Sequence, residues 1–373
     1  MSIELNNELI KKSLVNKGDI SRILKLFNKA KNGENILVAF LGGSITQGCN
    51  STVHEKCYVE LVSKWFEEKF NNVKVEHINA GVGATGSLIG VHRAERQVIS
   101  KNPDIIFVDA AVNDDDSYTC KVSYESEIRK LLSSPGKPAV IEVFMTMENG
   151  VNYQEQQIEI GKHYNLPMIS FRDSACEIVK SRNLKWSDLL TDEVHPNDDG
   201  HNIIATLLIN FLENIYSNDY KGGQYIEITD DTLEKDCVFG DRYINGKILN
   251  NRDIEPSEIT GFKNYSEGFQ VFQDGWKFEG KENEDGKLTL EVEGKNIILL
   301  YKKIIADNAG KFTVKVNGKE KVKLDTYFKD GWGDWTVTEI LEESDEIKKY
   351  KLEIEVENEN RKREVTILGV LVS

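Results

Sequence analysis

Leu37-Val-Ala-Phe-Leu-Gly-Gly-Ser-Ile-Thr-Gln-Gly48 is an unbroken apolar run that stops at two glycines and a serine. Such a run, preceded by Ile36, predicts a strand buried on both faces, as inside a parallel sheet. Gly42 and Gly43 permit a sharp turn where a side chain would clash. Ser44 is then left at the carboxyl end of a central strand, where open α/β sheets place their ligands. On this stretch alone Ser44 reads equally as a helix cap or as a nucleophile.

The flanking sequence extends the pattern. Apolar residues at Ile20, Ile23, Leu24, Leu26 and Phe27 predict a helix before the strand. Tyr58, Leu61, Val62, Trp65 and Phe66 share one face of a helix expected over 58–70. Further strands are expected at 73–78, 105–110, 139–145 and 168–171. Helices are expected at 88–100, 124–132, 153–164, 174–181 and 201–215. This alternation predicts βαβ units around a parallel sheet. Near residue 217 the period changes to two, as in Leu288-Thr-Leu-Glu-Val-Glu293, Phe312-Thr-Val-Lys-Val316 and Leu352-Glu-Ile-Glu-Val356. With turns such as Val316-Asn-Gly-Lys319, that patterning predicts an antiparallel β-sandwich. The expected division is an α/β domain over 1–220, with an N-terminal extension over 1–34, and a sandwich over 221–373. Lys221-Gly-Gly-Gln224 reads as the linker.

At 373 residues the chain is long for a single core, which agrees with two domains. The formal charge of -15 opposes general affinity for nucleic acid or anionic membranes, and leaves neutral partners such as sugars open. The five cysteines (Cys49, Cys57, Cys120, Cys176 and Cys237) form no CxxC pair and suit reduced thiols better than disulfides or a zinc site. No stretch resembles a signal peptide or a membrane span, so a cytoplasmic location is the expectation. Nothing in the pattern specifies an oligomeric state.

Three more segments fall at strand ends or before a helix. Gly81-Val-Gly-Ala-Thr-Gly86 places oriented N–H donors at a helix start. No lysine follows as in a P-loop. The spacing also fits a dinucleotide site, with Asp109 near the next strand end as its ribose ligand. That alternative leaves Ser44 and the later Asp and His unexplained. Asn113, in Ala111-Val-Asn-Asp114, reads alone as an Asx turn, but its amide is also a fitting donor to an oxyanion. Asp192-Glu-Val-His195 supplies a histidine with a carboxylate to orient it, and Pro196 keeps His195 out of the following helix.

The four segments in this order resemble the SGNH, or GDSL-like, hydrolase superfamily. Its blocks correspond to Gly42-Gly-Ser-Ile-Thr46, Asn79-Ala-Gly-Val-Gly-Ala84, Ala111-Val-Asn-Asp114 and Asp192-Glu-Val-His195. The resemblance covers roughly residues 34–215 and implies a flavodoxin-like three-layer αβα sandwich. It implies Ser44 as nucleophile, His195 as base and then acid, and Asp192 as its orienting carboxylate. The oxyanion hole would comprise the Ser44 N–H, Asn113 Nδ2 and an N–H from Gly83 or Ala84. Ala111 and Ala84 depart from the glycines usual in such blocks. An alanine N–H still donates, provided the backbone angles are ordinary.

The other polar residues read as structural or as pocket lining. His201 reads as a helix cap or surface group, and His77, His92 and His163 show no metal spacing. Asp114-Asp-Asp116 reads as solvated rather than calcium-binding. His54 and Asp114 are the candidates to line the substrate pocket. In the C-terminal half, Trp276 reads as core and Trp332, between Gly331 and Gly333, as an exposed loop tip. A jelly-roll-like sandwich with such a loop resembles carbohydrate-binding modules of family thirty-five. The whole layout resembles intracellular acetylmannan esterases of carbohydrate esterase family seventeen. By that resemblance the substrate is an acetylated oligosaccharide, clamped by Trp332 over the active site, with no metal or cofactor. Acetylxylan esterase, lipase or lysophospholipase, and a glycan-binding protein on an inactive hydrolase fold are the alternatives.

Overall fold

The computed structural model describes residues 5–228, 230–281 and 283–373; residues 1–4, at the start of the expected extension, lie outside these. Six strands form the first sheet: β1 (Leu14–Asn16), β2 (Ile36–Gly42), β3 (Val75–Gly81), β4 (Ile105–Val108), β5 (Ala139–Phe144) and β6 (Met168–Ser170). Their order is β1-β6-β5-β4-β2-β3. Strands β2 to β6 pair in parallel, whereas β1 is antiparallel to β6, so the extension supplies an edge strand.

Among the described residues, nine α-helices accompany the sheet: α1 (Asn7–Ser13), α2 (Ser21–Lys31), α3 (Ser44–Gln47), α4 (Tyr58–Lys69), α5 (Ser87–Gln97), α6 (Tyr118–Leu132), α7 (Gln154–His163), α8 (Phe171–Arg182) and α9 (Asp198–Asn214). Alternate strand residues face opposite sides. Val38, Phe40, Ile105 and Phe107 pack with α2, α4, α8 and α9, while Ala39, Leu41, Ile106 and Val108 pack with α5, α6 and α7. The result is three layers. The chain runs from β2 outward to β3 and then back past β2 to β4, so the order reverses between β2 and β4. Open sheets bind ligands at such a reversal. Gly42 is in register with Gly81, and Leu41 with Val108, so three strands end level there.

The expected boundary at 220 moves. The first compact unit runs to Ile244, and the second is Asn245–Ser373. Residues 221–244 belong with the first unit because α6 supplies partners for their irregular backbone. The buried Glu125 carboxylate accepts the N–H groups of Val238, Phe239 and Gly240 at 2.7, 2.6 and 2.8 Å. Arg129 donates to the Lys235 carbonyl at 3.0 Å. A buried carboxylate needs such donors, and they in turn fix the segment.

The named strands of the second unit all pair antiparallel. Its strands are β7 (Lys247–Leu249), β8 (Glu258–Thr260), β9 (Phe262–Tyr265), β10 (Gly275–Gly280), β11 (Gly286–Lys303), β12 (Lys311–Val316), β13 (Lys319–Asp325), β14 (Trp335–Val356) and β15 (Arg363–Val372). The main order is β13-β12-β14-β11-β15-β10-β9, with β8 beside β11 and β7 beside β15. The two longest strands, β11 and β14, shift register between Gly294 and Asn296 and again between Ile297 and Ile298. Such bulges let a strand bend from one layer into another. Leu288, Phe312 and Ile354 from one side of the bulges share a core with Phe278, Leu299 and Ile367 from the other, which makes a sandwich. Trp276 is buried there, as expected. Asn317 and Gly318 both adopt left-handed angles in the β12–β13 turn, the requirement of a tight hairpin.

Candidate active site

Ser44 is the first residue of α3, with Gly43 at the cap position. Its hydroxyl makes no cap bond; it meets His195 Nε2 at 2.8 Å. The side chain is mostly buried, since β2 delivers it into the crevice beside β4.

His195 sits in a tight loop closed by the Thr191 N–H on the His195 carbonyl at 2.8 Å. Asp192 organises that loop. Its Oδ1 accepts the N–H groups of Val194 and His195 at 2.8 and 2.7 Å, and its Oδ2 lies 2.8 Å from His195 Nδ1. Burial opposes ionisation of Asp192, but these N–H groups and the imidazole together hold its carboxyl below the ordinary range. Asn50 adds a contact that the sequence did not signal. Its Nδ2 donates to Asp192 Oδ2 at 2.9 Å and to Thr191 Oγ1 at 2.6 Å. Asn50 has φ 67, a left-handed conformation that asparagine tolerates well.

His201 is neither a cap nor a surface group. It is fully buried, accepts the Tyr58 N–H at Nδ1, and places Nε2 3.2 Å from the Cys49 carbonyl. Burial lowers its pKa, in keeping with a neutral ring that uses one nitrogen as acceptor and the other as donor. It ties the loop after Ser44 to α9.

The remaining blocks converge on Gly43. Asn113 Oδ1 packs against it so closely that a Cβ there would lie 2.1 Å from the oxygen. Only glycine fits. The Val82 N–H donates to the Gly42 carbonyl at 3.0 Å, which joins the second block to the end of β2. Ala84 has φ 55, so its angles are not ordinary. A left-handed alanine costs roughly 1–2 kcal/mol, which explains why glycine suits this turn.

Two acids beneath the site have structural tasks. Asp114 does not line a substrate pocket. It is buried, accepts the Ser87 N–H and hydroxyl at 2.8 and 3.0 Å, and so caps α5 just beyond the Ala84 turn. Asp115 instead accepts the Ser117 N–H, so the acidic run diverges rather than converging on an ion. Asp109 is buried under α3, where Thr46 Oγ1 donates to it at 3.1 Å. Burial pushes both Asp109 and Asp114 up to about 7. A buried Asp109 offers nothing to a ribose, so the dinucleotide alternative loses its acid. His54, expected in the pocket, is exposed and turns its imidazole onto Glu60 at 3.2 Å. Trp332 belongs to the second unit and is 68% exposed, with Phe328 and Trp335 centroids 5.9 and 6.4 Å away.

The family model described as GDSL-like lipase/acylhydrolase matches residues 40–203. Over its length the chain is similar to a crystal structure of a two-domain esterase active on acetylated mannans. The two are 31% identical, with 98% of each chain covered and a TM-score of 0.88. The chain belongs to the GDSL-like lipase/acylhydrolase family. This esterase also matches the mannan-active enzyme co-crystallised with mannopentaose, at 30% identity and a TM-score of 0.85, covering 98% of this chain and 97% of that one. A comparison with curated protein sequences found no match. Family and whole-length neighbour together make the chain a carboxylic ester hydrolase. Among the described residues, no helix is long and apolar enough to cross a membrane.

Proposed function

We propose that this esterase removes O-acetyl groups from acetylated manno-oligosaccharides through an acetyl-Ser44 intermediate. The observation that carries the reading is the unbroken relay from Ser44 Oγ through His195 to Asp192, with 2.8 Å at each link. His195 Nε2 takes the hydroxyl proton as Ser44 Oγ attacks the acetyl carbonyl. Asp192 holds the Nδ1–H and stabilises the imidazolium. The Ser44 N–H, Asn113 Nδ2 and an N–H of the Gly83–Ala84 turn receive the developing oxyanion. Collapse returns the proton to the sugar hydroxyl, and a water activated by the same histidine releases acetate. No step calls on a metal or an organic cofactor.

The choice of mannan is supported by the whole-length similarity to an enzyme active on acetylated mannans. The second unit serves in this reading as a carbohydrate-binding module, with Trp332 as a stacking face for a sugar ring. The test is mass spectrometry of acetylated manno- and xylo-oligosaccharides after incubation with the protein. Loss of acetyl mass is expected from the manno series first, and preferential deacetylation of the xylo series would overturn the substrate assignment. Ser44→Ala should lower kcat on a simple acetyl ester by about 10⁴-fold or more. Undiminished turnover by that variant would remove the mechanism.

A further inference from the structure

The loop that follows Ser44 ends in a cluster the esterase chemistry does not use. His54 lies in a single 3₁₀ turn (His54–Lys56), Cys57 at the cap of α4, and Glu60 in its first turn. A 3₁₀ turn repeats every three residues, and positions three apart on a helix also adjoin, so all three side chains emerge on one side. One ligand atom from each lies within 4.8 Å of the others. Among the described residues no other such group of His, Cys, Asp and Glu occurs.

We propose that His54, Cys57 and Glu60 bind a zinc-class transition-metal ion, with His77 as the outer partner that orients Glu60. The donor set is one imidazole, one thiolate and one carboxylate. That mixture suits zinc and disfavours magnesium or calcium, which prefer all-oxygen ligands. Bonds of about 2.0–2.3 Å to a tetrahedral ion place ligand atoms about 3.3–3.8 Å apart. His54 Nε2 and Glu60 Oε1 stand at 3.2 Å, close to that spacing, and one ligand atom from Cys57 lies within 4.8 Å of theirs.

Two surrounding features support the assignment. His77, from β3, meets Glu60 Oε1 at 2.9 Å, and a hydrogen bond from outside the ligand set is how carboxylate ligands are commonly held. Gly48 has φ 94, and a Cβ there would come within 3.0 Å of Cys57 Cβ and 3.2 Å of its Sγ. Gly48 therefore leaves little room for a side chain beside the cysteine.

The position gives the ion a consequence. The same loop carries Asn50, which holds Asp192, and Thr52 and Lys56, which hold Asp198 at 2.7 and 2.6 Å. An ion at its base would fasten the loop that steadies the acid end of the relay. The site is structural and separate from Ser44.

The test uses the full chain, stripped with chelator and desalted, then titrated with zinc chloride in a calorimeter. One zinc per chain is expected, with a higher thermal midpoint once bound. Cobalt in its place should give a thiolate-to-metal charge-transfer band, lost in Cys57→Ser. His54→Ala should weaken binding at least tenfold, and His77→Ala by roughly 10–100-fold. Absence of a saturable site in the unsubstituted protein, or cobalt binding without a thiolate band, overturns the proposal. If the variants fail to fold, the cobalt spectrum of the unsubstituted chain decides alone.

Discussion

Asn50 shows how a single side chain conditions the relay. Its amide is the only side-chain donor to Asp192 besides His195 among the described hydrogen bonds. A hydrogen bond to a charged group contributes about 1.5–3 kcal/mol. Asn50→Ala should therefore lower kcat on a small acetyl ester roughly tenfold to a hundredfold, with KM unchanged, in steady-state kinetics. An equal loss in a variant remote from Asp192 would point to general destabilisation instead. At Ala84 the strain is conformational. Ala84→Gly should add about 0.5–1 kcal/mol of stability and so raise the thermal midpoint, since glycine adopts the left-handed turn freely. The sequence made some of these residues readable and hid others. The meeting of Ser44, His195 and Asp192 was legible because Ser44 follows β2 directly and an acid and a histidine three residues apart precede α9. Asn50 was not, because its partner lies 142 residues further on. Asp114 was misread for a related reason. An acid beside a pocket-lining asparagine can point either way, and only the approach of Ser87 shows that it points inward.

At the scale of elements, the period of the apolar residues located the five parallel strands and the longer helices of the first unit but not the short α1, β1 and α3, and the caps set the helix ends. Helix α6 begins at Tyr118 rather than 124 because Ser117 accepts the Cys120 N–H, a cap that an apolar pattern cannot show. The described residues of 221–244 escaped assignment to the first unit because they have no period at all; Glu125, which holds Val238, Phe239 and Gly240, lies more than a hundred residues before them. Strand β5 carries a different kind of departure. Glu142 is fully buried in it beside Tyr124, and burial pushes its carboxyl up to about 8. The folded chain then keeps a proton that the unfolded chain, with a pKa of about 4.3, gives up. The contribution to stability is full below that lower value and is lost as pH rises toward about 8. Glu142→Gln should raise the thermal midpoint at about pH 8 and change it little at about pH 4. A scanning-fluorimetry pH series checks this, and parallel curves for the two proteins would refute it.

The molecule as a whole divides its work between a unit that carries the relay and a unit with an exposed aromatic face. Trp332→Ala should leave kcat on a small acetyl ester unchanged. Affinity for manno-oligosaccharide in calorimetry should fall by roughly tenfold, since stacking on an exposed ring contributes about 1 kcal/mol or more. Unaltered affinity would take Trp332 out of sugar binding. The two units also differ in when they can form. In the first, each parallel strand follows its helix, and all six strands are complete by Ser170. In the second, β15 is last in sequence yet lies between β11 and β10. Until residue 372 has left the ribosome, β11 and β10 have no partner on their facing edges and the sandwich cannot close. The sheet of the first unit can thus pair while the second unit is still being made, whereas the second unit cannot close until β15 has emerged, and until then its open strand edges are exposed to aggregation.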